Sequence, residues 1–156
     1  MSTYDAPHET EVVVRGSALG FAQEISARTH RLLADEPIAN GGTDTGPTPY
    51  DLLLAALGSC ASMTVALYAR RKAWPLEHVT VRLRHDRIHA VDCAECETKA
   101  GRLDQVKWSL QLSGALTSGQ RARLLEIAQM CPVNRTLRSE VRILPPASIE
   151  DRTTNV

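Results

Sequence analysis

Between Leu52 and Tyr68 the chain reads LLLAALGSCASMTVALY, a run without a single charged side chain. Such a run must either cross a membrane or be covered on nearly every side by protein. It falls just short of the roughly 18 residues that mark a membrane-spanning candidate, and it carries Gly58, Ser59, Ser62 and Thr64. Asp51 precedes it and Ala69-Arg70-Arg71-Lys72 follows it. The run therefore reads as a buried core helix. Thr48 suits the N-cap, Pro49 the first helical position and Asp51 the third, a variant of the capping box. The helix should continue to about Lys72, where Ala73-Trp74-Pro75 breaks it. Leu53, Ala56, Leu57, Cys60, Thr64 and Leu67 recur at spacings of three and four, while Leu52, Leu54, Met63 and Val65 fill other faces. A helix apolar nearly all round needs cover nearly all round, and one small sheet covers one side. A second helix or a partner subunit must supply the rest.

The remaining chain supplies the sheet and the second helix. Thr10–Gly16 and Phe21–Asp35 are β-like and read as a long N-terminal hairpin. Residues 36–49 are dense in Gly, Pro, Asn and Asp and read as a loop. His78–Ala90 alternates Val79, Val81 and Leu83 against polar neighbours, and Val106–Leu112 alternates Val106, Trp108, Leu110 and Leu112. Both are strands with one wet face, joined by the polar segment 91–102. Thr117 and Gln120 cap a second helix whose apolar stripe is Leu124, Leu125, Ile127 and Ala128. A short helix restarts at Pro132, and Ser139–Leu144 reads as a last strand. The order ββ-α-ββ-α-β is that of an α+β fold, with long helices against antiparallel sheet. A chain of 156 residues fits one domain, here 10–144, flanked by an N-terminal extension 1–9 and a flexible tail 145–156.

Charge excludes some partners. Lys plus Arg and Asp plus Glu number 18 each, so no net field draws the chain to nucleic acid or to a membrane surface. The polar start MSTYDAPHET has no apolar core of a secretory signal, and a cytoplasmic protein is expected.

Chemistry rests on four cysteines, at 60, 93, 96 and 131. Cys60 alone is ambiguous: a buried thiol packs as a small hydrophobe, and a mid-helix site receives nothing from the helix dipole. It would need a nearby cation to react. Cys131 falls at the N-cap of the short helix, where free backbone N–H groups favour a thiolate, and Arg135 lies one turn on. The alternative is an inert thiol at a helix junction. Should the two cysteine-bearing helices pair, one thiol could attack and the other resolve the sulfenic acid as a disulfide. Cys93-Ala94-Glu95-Cys96, with His89 and His85 upstream, admits three readings: solvent-side structural residues, a zinc half-site or a redox pair.

GPTPYDLLLAALGSCASMT and CPVNRTL together resemble the OsmC/Ohr family of hydroperoxide-reducing proteins, over roughly residues 10–144. Residues 35–60 with 82–98 look like a bacterial OsmC-like branch distinct from the organic hydroperoxide reductases. The resemblance implies an intertwined homodimer with sites at the subunit interface, which would cover the apolar helix. It matches Cys60 to the peroxidatic cysteine and Cys131 to the resolving one. It implies a dithiol reductant, such as a dihydrolipoyl protein, with no cofactor and no metal. The family orients an activating arginine with a Glu ten residues before the first cysteine, where this chain has Tyr50 beside Asp51. These two are the expected substrate-side residues. Arg15, in the N-terminal hairpin, is the nearest match to the activating arginine, with Arg28 and Arg135 as substitutes. Asn134 stands where related sequences of the branch often have His.

The expected function is thus a thiol peroxidase acting on organic hydroperoxides. The competing expectation is a non-enzymatic binder of apolar small molecules in the interface pocket.

Overall fold

A computed structural model describes residues 11–147. Its N-terminal part is a three-stranded antiparallel sheet of β1 (Val12–Gly16), β2 (Gln23–Ala27) and β3 (His30–Ala34). The expected long second strand is in fact two. Ala27 pairs with His30 across a two-residue turn, with Arg28 at a positive φ of 56°. No glycine marks this turn, so the sequence gives no sign of it.

The segment from Asp35 to Pro47 is tied down by one carboxylate. Asp35 is buried, and it accepts from the backbone N–H groups of Glu36, Thr43 and Thr45 and from the hydroxyls of Thr43 and Thr45. Asp35 N–H in turn donates to the Pro47 carbonyl at 3.1 Å. These donors, the Thr43 side chain foremost, hold the Asp35 carboxyl well below the usual carboxylate range.

α1 (Pro49–Arg71) starts as expected. The Thr48 hydroxyl accepts from Asp51 N–H at 3.1 Å, and the Asp51 carboxylate accepts from Thr48 N–H at 3.0 Å. It ends on Ala73 at φ 52°, with Trp74 N–H donating back to the Ala69 carbonyl at 2.9 Å. This left-handed C-terminal close usually takes glycine.

β4 (His78–His89) and β5 (Arg102–Ser113) form a separate two-stranded antiparallel sheet, in register from His78↔Ser113 to His89↔Arg102. Gly114 closes its base: φ is +121°, and a Cβ there would lie 2.0 Å from the Pro75 carbonyl oxygen. α2 (Ser118–Gln129) carries the Thr117/Gln120 capping box, and α3 (Pro132–Arg138) follows.

The core lies where α1 meets β4, β5, α2 and α3. Leu57, Ala61, Val65 and Ala69, four residues apart, bury one stripe of α1 against Leu124, Ile127 and Ala128 of α2. Val79, Leu83, Val106, Trp108, Leu110 and Leu112 close it from the sheet. α1 passes so near β4 at Gly58 that a Cβ would meet Leu83 Cδ1 at 2.8 Å. Burying side chains such as Val65 and Leu124 fully contributes about 1.5–3 kcal/mol each.

Two expectations need correction. The buried stripe is not the one through Leu53 and Leu67, which remain 40% and 41% exposed, and Leu125 of α2 is also exposed. With apolar residues on every face of α1, spacing alone does not choose which face meets the sheet. Ser139–Leu144 also forms no strand. Alternation gave it β character, but a strand exists only through a hydrogen-bonded neighbour, and no strand in the described residues takes it as one. The chain is α+β, as expected.

Candidate active site

α1 carries Cys60 and the α2–α3 junction carries Cys131. Both are free thiols, Cys60 half-buried and Cys131 fully buried. They share one core: Cys60 packs against the buried cluster that contains Cys131, and it is one of the influences on the Cys131 thiol. Cys131 caps α3 with its sulfur, which accepts Asn134 N–H at 3.4 Å. The Asn134 side chain donates to the Gln129 carbonyl at 2.6 Å and so clamps the end of α2 to the start of α3.

The sequence led us to expect Cys131 to be acidified by its helix N-terminus. The direction is the reverse. Burial is the largest influence and pushes the thiol up, and Cys60 adds to it. The backbone N–H groups of Asn134 and Val133 oppose the rise without overcoming it. A helix of seven residues has a weak dipole, and full removal from water penalises the thiolate more than two N–H donors relieve it. Cys131 is therefore held as a neutral thiol beside the more open Cys60.

A cleft of about 380 Å³ is lined by Leu57 of α1, three residues before Cys60, by Val106 and Trp108 of β5, by Gln129, and by Asn134, whose N–H meets the Cys131 sulfur, with Leu137 and Arg138 of α3. Asp104 lies on its rim. There the Asp104 carboxylate meets His85 Nε2 at 2.8 Å and accepts from Arg87 Nε at 3.2 Å. Its carboxyl is lowered first by His85 and then by Arg87. Tyr50 stacks on the His85 ring at 4.4 Å and 19°. This group was missed from the sequence although a signal existed. His85 has the same parity as Val79, Val81 and Leu83, and Asp104 that of Val106, Trp108 and Leu110, so both continue the inward face of the sheet.

The other expected residues fall as follows. Asp51 sits in the cap of α1, its Oδ2 taken by Thr48 N–H and by the Thr48 hydroxyl at 2.8 Å. Arg15 lies on exposed β1, opposite Glu24. Arg28 lies in the β2–β3 turn, and Arg135 N–H donates to the Cys131 carbonyl at 3.1 Å. None of the principal influences on Cys131 is a cation.

Cys93 and Cys96 are joined as a disulfide, with Cα atoms 5.4 Å apart. That favours the redox reading over the zinc half-site. His85 is engaged by Asp104, and among the described residues no group of three or more His, Cys, Asp or Glu is set to hold a metal.

Among solved structures, the chain is similar to an organic hydroperoxide resistance protein OsmC from Legionella pneumophila, at 20% identity and a TM-score of 0.62, covering 85% of this chain and 91% of that one. It is similar to the organic hydroperoxide resistance protein OhrB of Bacillus subtilis, at 19% identity and 0.58, covering 85% and 93%. An OsmC-like protein from Mycoplasma pneumoniae gives 13% identity and 0.67, covering 85% and 89%. At these identities the likeness establishes the fold. No curated protein matches the chain. The family described as OsmC-like protein matches residues 42–144, the span holding α1, both sheet strands beneath it and both free thiols, and the chain belongs to that family.

Proposed function

We propose that this protein is a thiol peroxidase that reduces organic hydroperoxides, with Cys60 as nucleophile and Cys131 as resolving thiol. One observation carries the reading: two free cysteines belong to one core, the half-buried Cys60 of α1 packed against the cluster that holds the fully buried Cys131 at the start of α3. Structural relatives named as organic hydroperoxide resistance proteins support the same chemistry.

In the first step the Cys60 thiolate attacks one oxygen of R–O–O–H. The O–O bond breaks, the alkoxide leaves and is protonated to the alcohol, and Cys60 becomes a sulfenic acid. Cys131 then attacks that sulfur, and water departs as the Cys60–Cys131 disulfide forms. A dithiol, such as that of a dihydrolipoyl protein, returns both thiols and is itself oxidised to a disulfide. Cys131, protonated at rest, does not compete for the peroxide; it gives up its proton as it attacks Cys60, and that proton leaves with the sulfenic hydroxyl as water.

The reaction as proposed needs a cation near Cys60 and a cover for α1, and a second copy of the chain would supply both. Only 28% of the most apolar window of α1 is buried within one chain. Val12, Val14 and Leu32 of the N-terminal sheet are more than half exposed. A homodimer in which Arg15 of one copy approaches Cys60 of the other satisfies both needs. Tyr50 and Asp51 would border the substrate, and the reducing cytoplasm would be the compartment.

Turnover of cumene hydroperoxide with a dithiol, wild type beside Cys60→Ser, tests the proposal. Activity in wild type that is lost in Cys60→Ser supports it, and equal rates overturn it. A second reading, non-enzymatic binding of apolar small molecules, draws on the Leu57, Val106, Trp108 and Leu137 walls of the cleft. It predicts binding that is indifferent to Cys60→Ser.

A further inference from the structure

The Cys93–Cys96 bond has no part in the chemistry above, and its setting is unlike that of the other pair. It sits in the connection between β4 and β5, beyond the last register pair, His89↔Arg102. Cys93 and Cys96 are half-buried, and Val91, Asp92, Ala94, Glu95 and residues 97–101 around them are exposed. Cys131, by contrast, is sealed in the core.

The bond is poorly placed to be a structural staple. It joins residues three apart, and a ring that small removes little conformational freedom from the unfolded chain. The tip is also closed without it. Ala90 is fully buried, its N–H donates to the Gly101 carbonyl at 2.9 Å, and Cys93 N–H donates to the Ala90 carbonyl at 3.2 Å. A continuous twelve-residue ladder holds the two strands below.

We propose that Cys93–Cys96 is a second thiol–disulfide exchange site, serving dithiols from solvent and working independently of Cys60 and Cys131. In the exchange, a thiolate of the incoming dithiol attacks one sulfur and the Cys93–Cys96 bond breaks. The freed thiolate takes a proton. The second thiol of the reagent then displaces the mixed disulfide, leaving the reagent oxidised and both cysteines reduced. Asp92, Glu95 and Glu97 flank the pair in sequence, and Lys99 of the same loop donates from Nζ to the Ala94 carbonyl at 3.5 Å. Direct transfer to the buried pair of the same chain is disfavoured by distance. Leu83 lies level with Gly58 on α1, and about six further strand residues, at roughly 3.3 Å each, separate it from the hairpin tip.

This proposal stands apart from the peroxidase reading, and its test does not measure peroxide turnover. The folded full-length protein is treated with dithiothreitol, or separately with reduced thioredoxin as a protein dithiol, then acid-quenched, alkylated and peptide-mapped. The expected result is that one or both reagents open 93–96 in folded protein, at a rate within about tenfold of that in urea-unfolded protein. The same rate is expected in a Cys60→Ser/Cys131→Ser variant. Should that variant fail to fold, wild type alkylated at Cys60 beforehand answers the same question. Opening by dithiothreitol alone identifies small dithiols as the partners, and opening by thioredoxin identifies proteins. Opening only in urea, or opening that depends on the buried thiols, overturns the proposal.

Discussion

Replacing Asp51 by alanine separates two roles for this carboxylate, helix cap and substrate-side group. In the structure Oδ2 accepts from Thr48 N–H at 3.0 Å and from the Thr48 hydroxyl at 2.8 Å. Asp51→Ala deletes both bonds and the negative charge from the first turn of α1. The reciprocal bond, from the residue-51 N–H to the Thr48 hydroxyl, survives because it uses backbone. Losing a cap costs about 0.5–2 kcal/mol, and losing a carboxylate from a helix N-terminus about 0.3–1 kcal/mol. With half the box retained, the expected loss is about 1–1.5 kcal/mol. For a chain of this length that lowers Tm by about 2–6 °C, read at fixed protein concentration. Thr48→Ala should do much the same, and the double variant should lose less than the sum, because both changes break one box. If capping is the whole role, the kcat/KM for cumene hydroperoxide falls by less than about threefold, corresponding to under about 0.7 kcal/mol. An unchanged Tm with a loss of activity beyond about tenfold would refute the capping argument and put Asp51 at the substrate or the activating guanidinium.

Asp35 should make the 35–47 loop acid-sensitive. Its folded-state value lies below the unfolded one, so its contribution is present above about 3.8 and is lost as pH falls through the folded value. Amide exchange at Thr43 and Thr45 should accelerate in that acid range, and Asp35→Asn should show the fast rate already at neutral pH; protection unaltered by the variant would count against it. Arg15→Ala should leave the assembly folded and slow Cys60 oxidation by at least about tenfold, or about 1.4 kcal/mol, and superimposable alkylation rates for the two proteins would turn attention to Arg28 or Arg135. Sedimentation equilibrium at micromolar concentration should give a dimer; a monomer would leave α1 uncovered and remove the proposed source of the cation.

Much of the frame was legible because local chemistry decides it. Both capping boxes, Thr48/Asp51 and Thr117/Gln120, stand where their spacing put them, and Cys131 is the N-cap that Pro132 announced. The two long strands follow the alternation at Val79–Leu83 and Val106–Leu112. What escaped depends on contacts distant in sequence. Which stripe of α1 is buried is decided by β4 and α2, and Ser139–Leu144 lacks the neighbour that a strand requires. The Arg28 turn and the Ala73 helix end take positive φ without glycine and leave no compositional mark. The thiol of Cys131 went the other way because burial, a property of the assembled core, outweighs its local N–H donors. His85 and Asp104 were within reach of the alternation argument, had it been extended past the last apolar residue of each strand. The site assignment, Cys60 with Cys131, came from family resemblance, and the structure adds that Cys60 packs against the core cluster holding Cys131.

Stoichiometric oxidation followed by disulfide mapping tests the thiol assignment most directly. Wild-type protein with Cys93–Cys96 already closed is treated with one equivalent of cumene hydroperoxide, acid-quenched, alkylated and digested. A new Cys60–Cys131 link is predicted, with Cα atoms at about 4.4–6.8 Å in the oxidised form, and Cys131→Ser should instead accumulate a sulfenic acid on Cys60. Finding 93–96 as the only disulfide, with Cys60 and Cys131 still alkylated as free thiols, would contradict the assignment and move the peroxide chemistry away from α1.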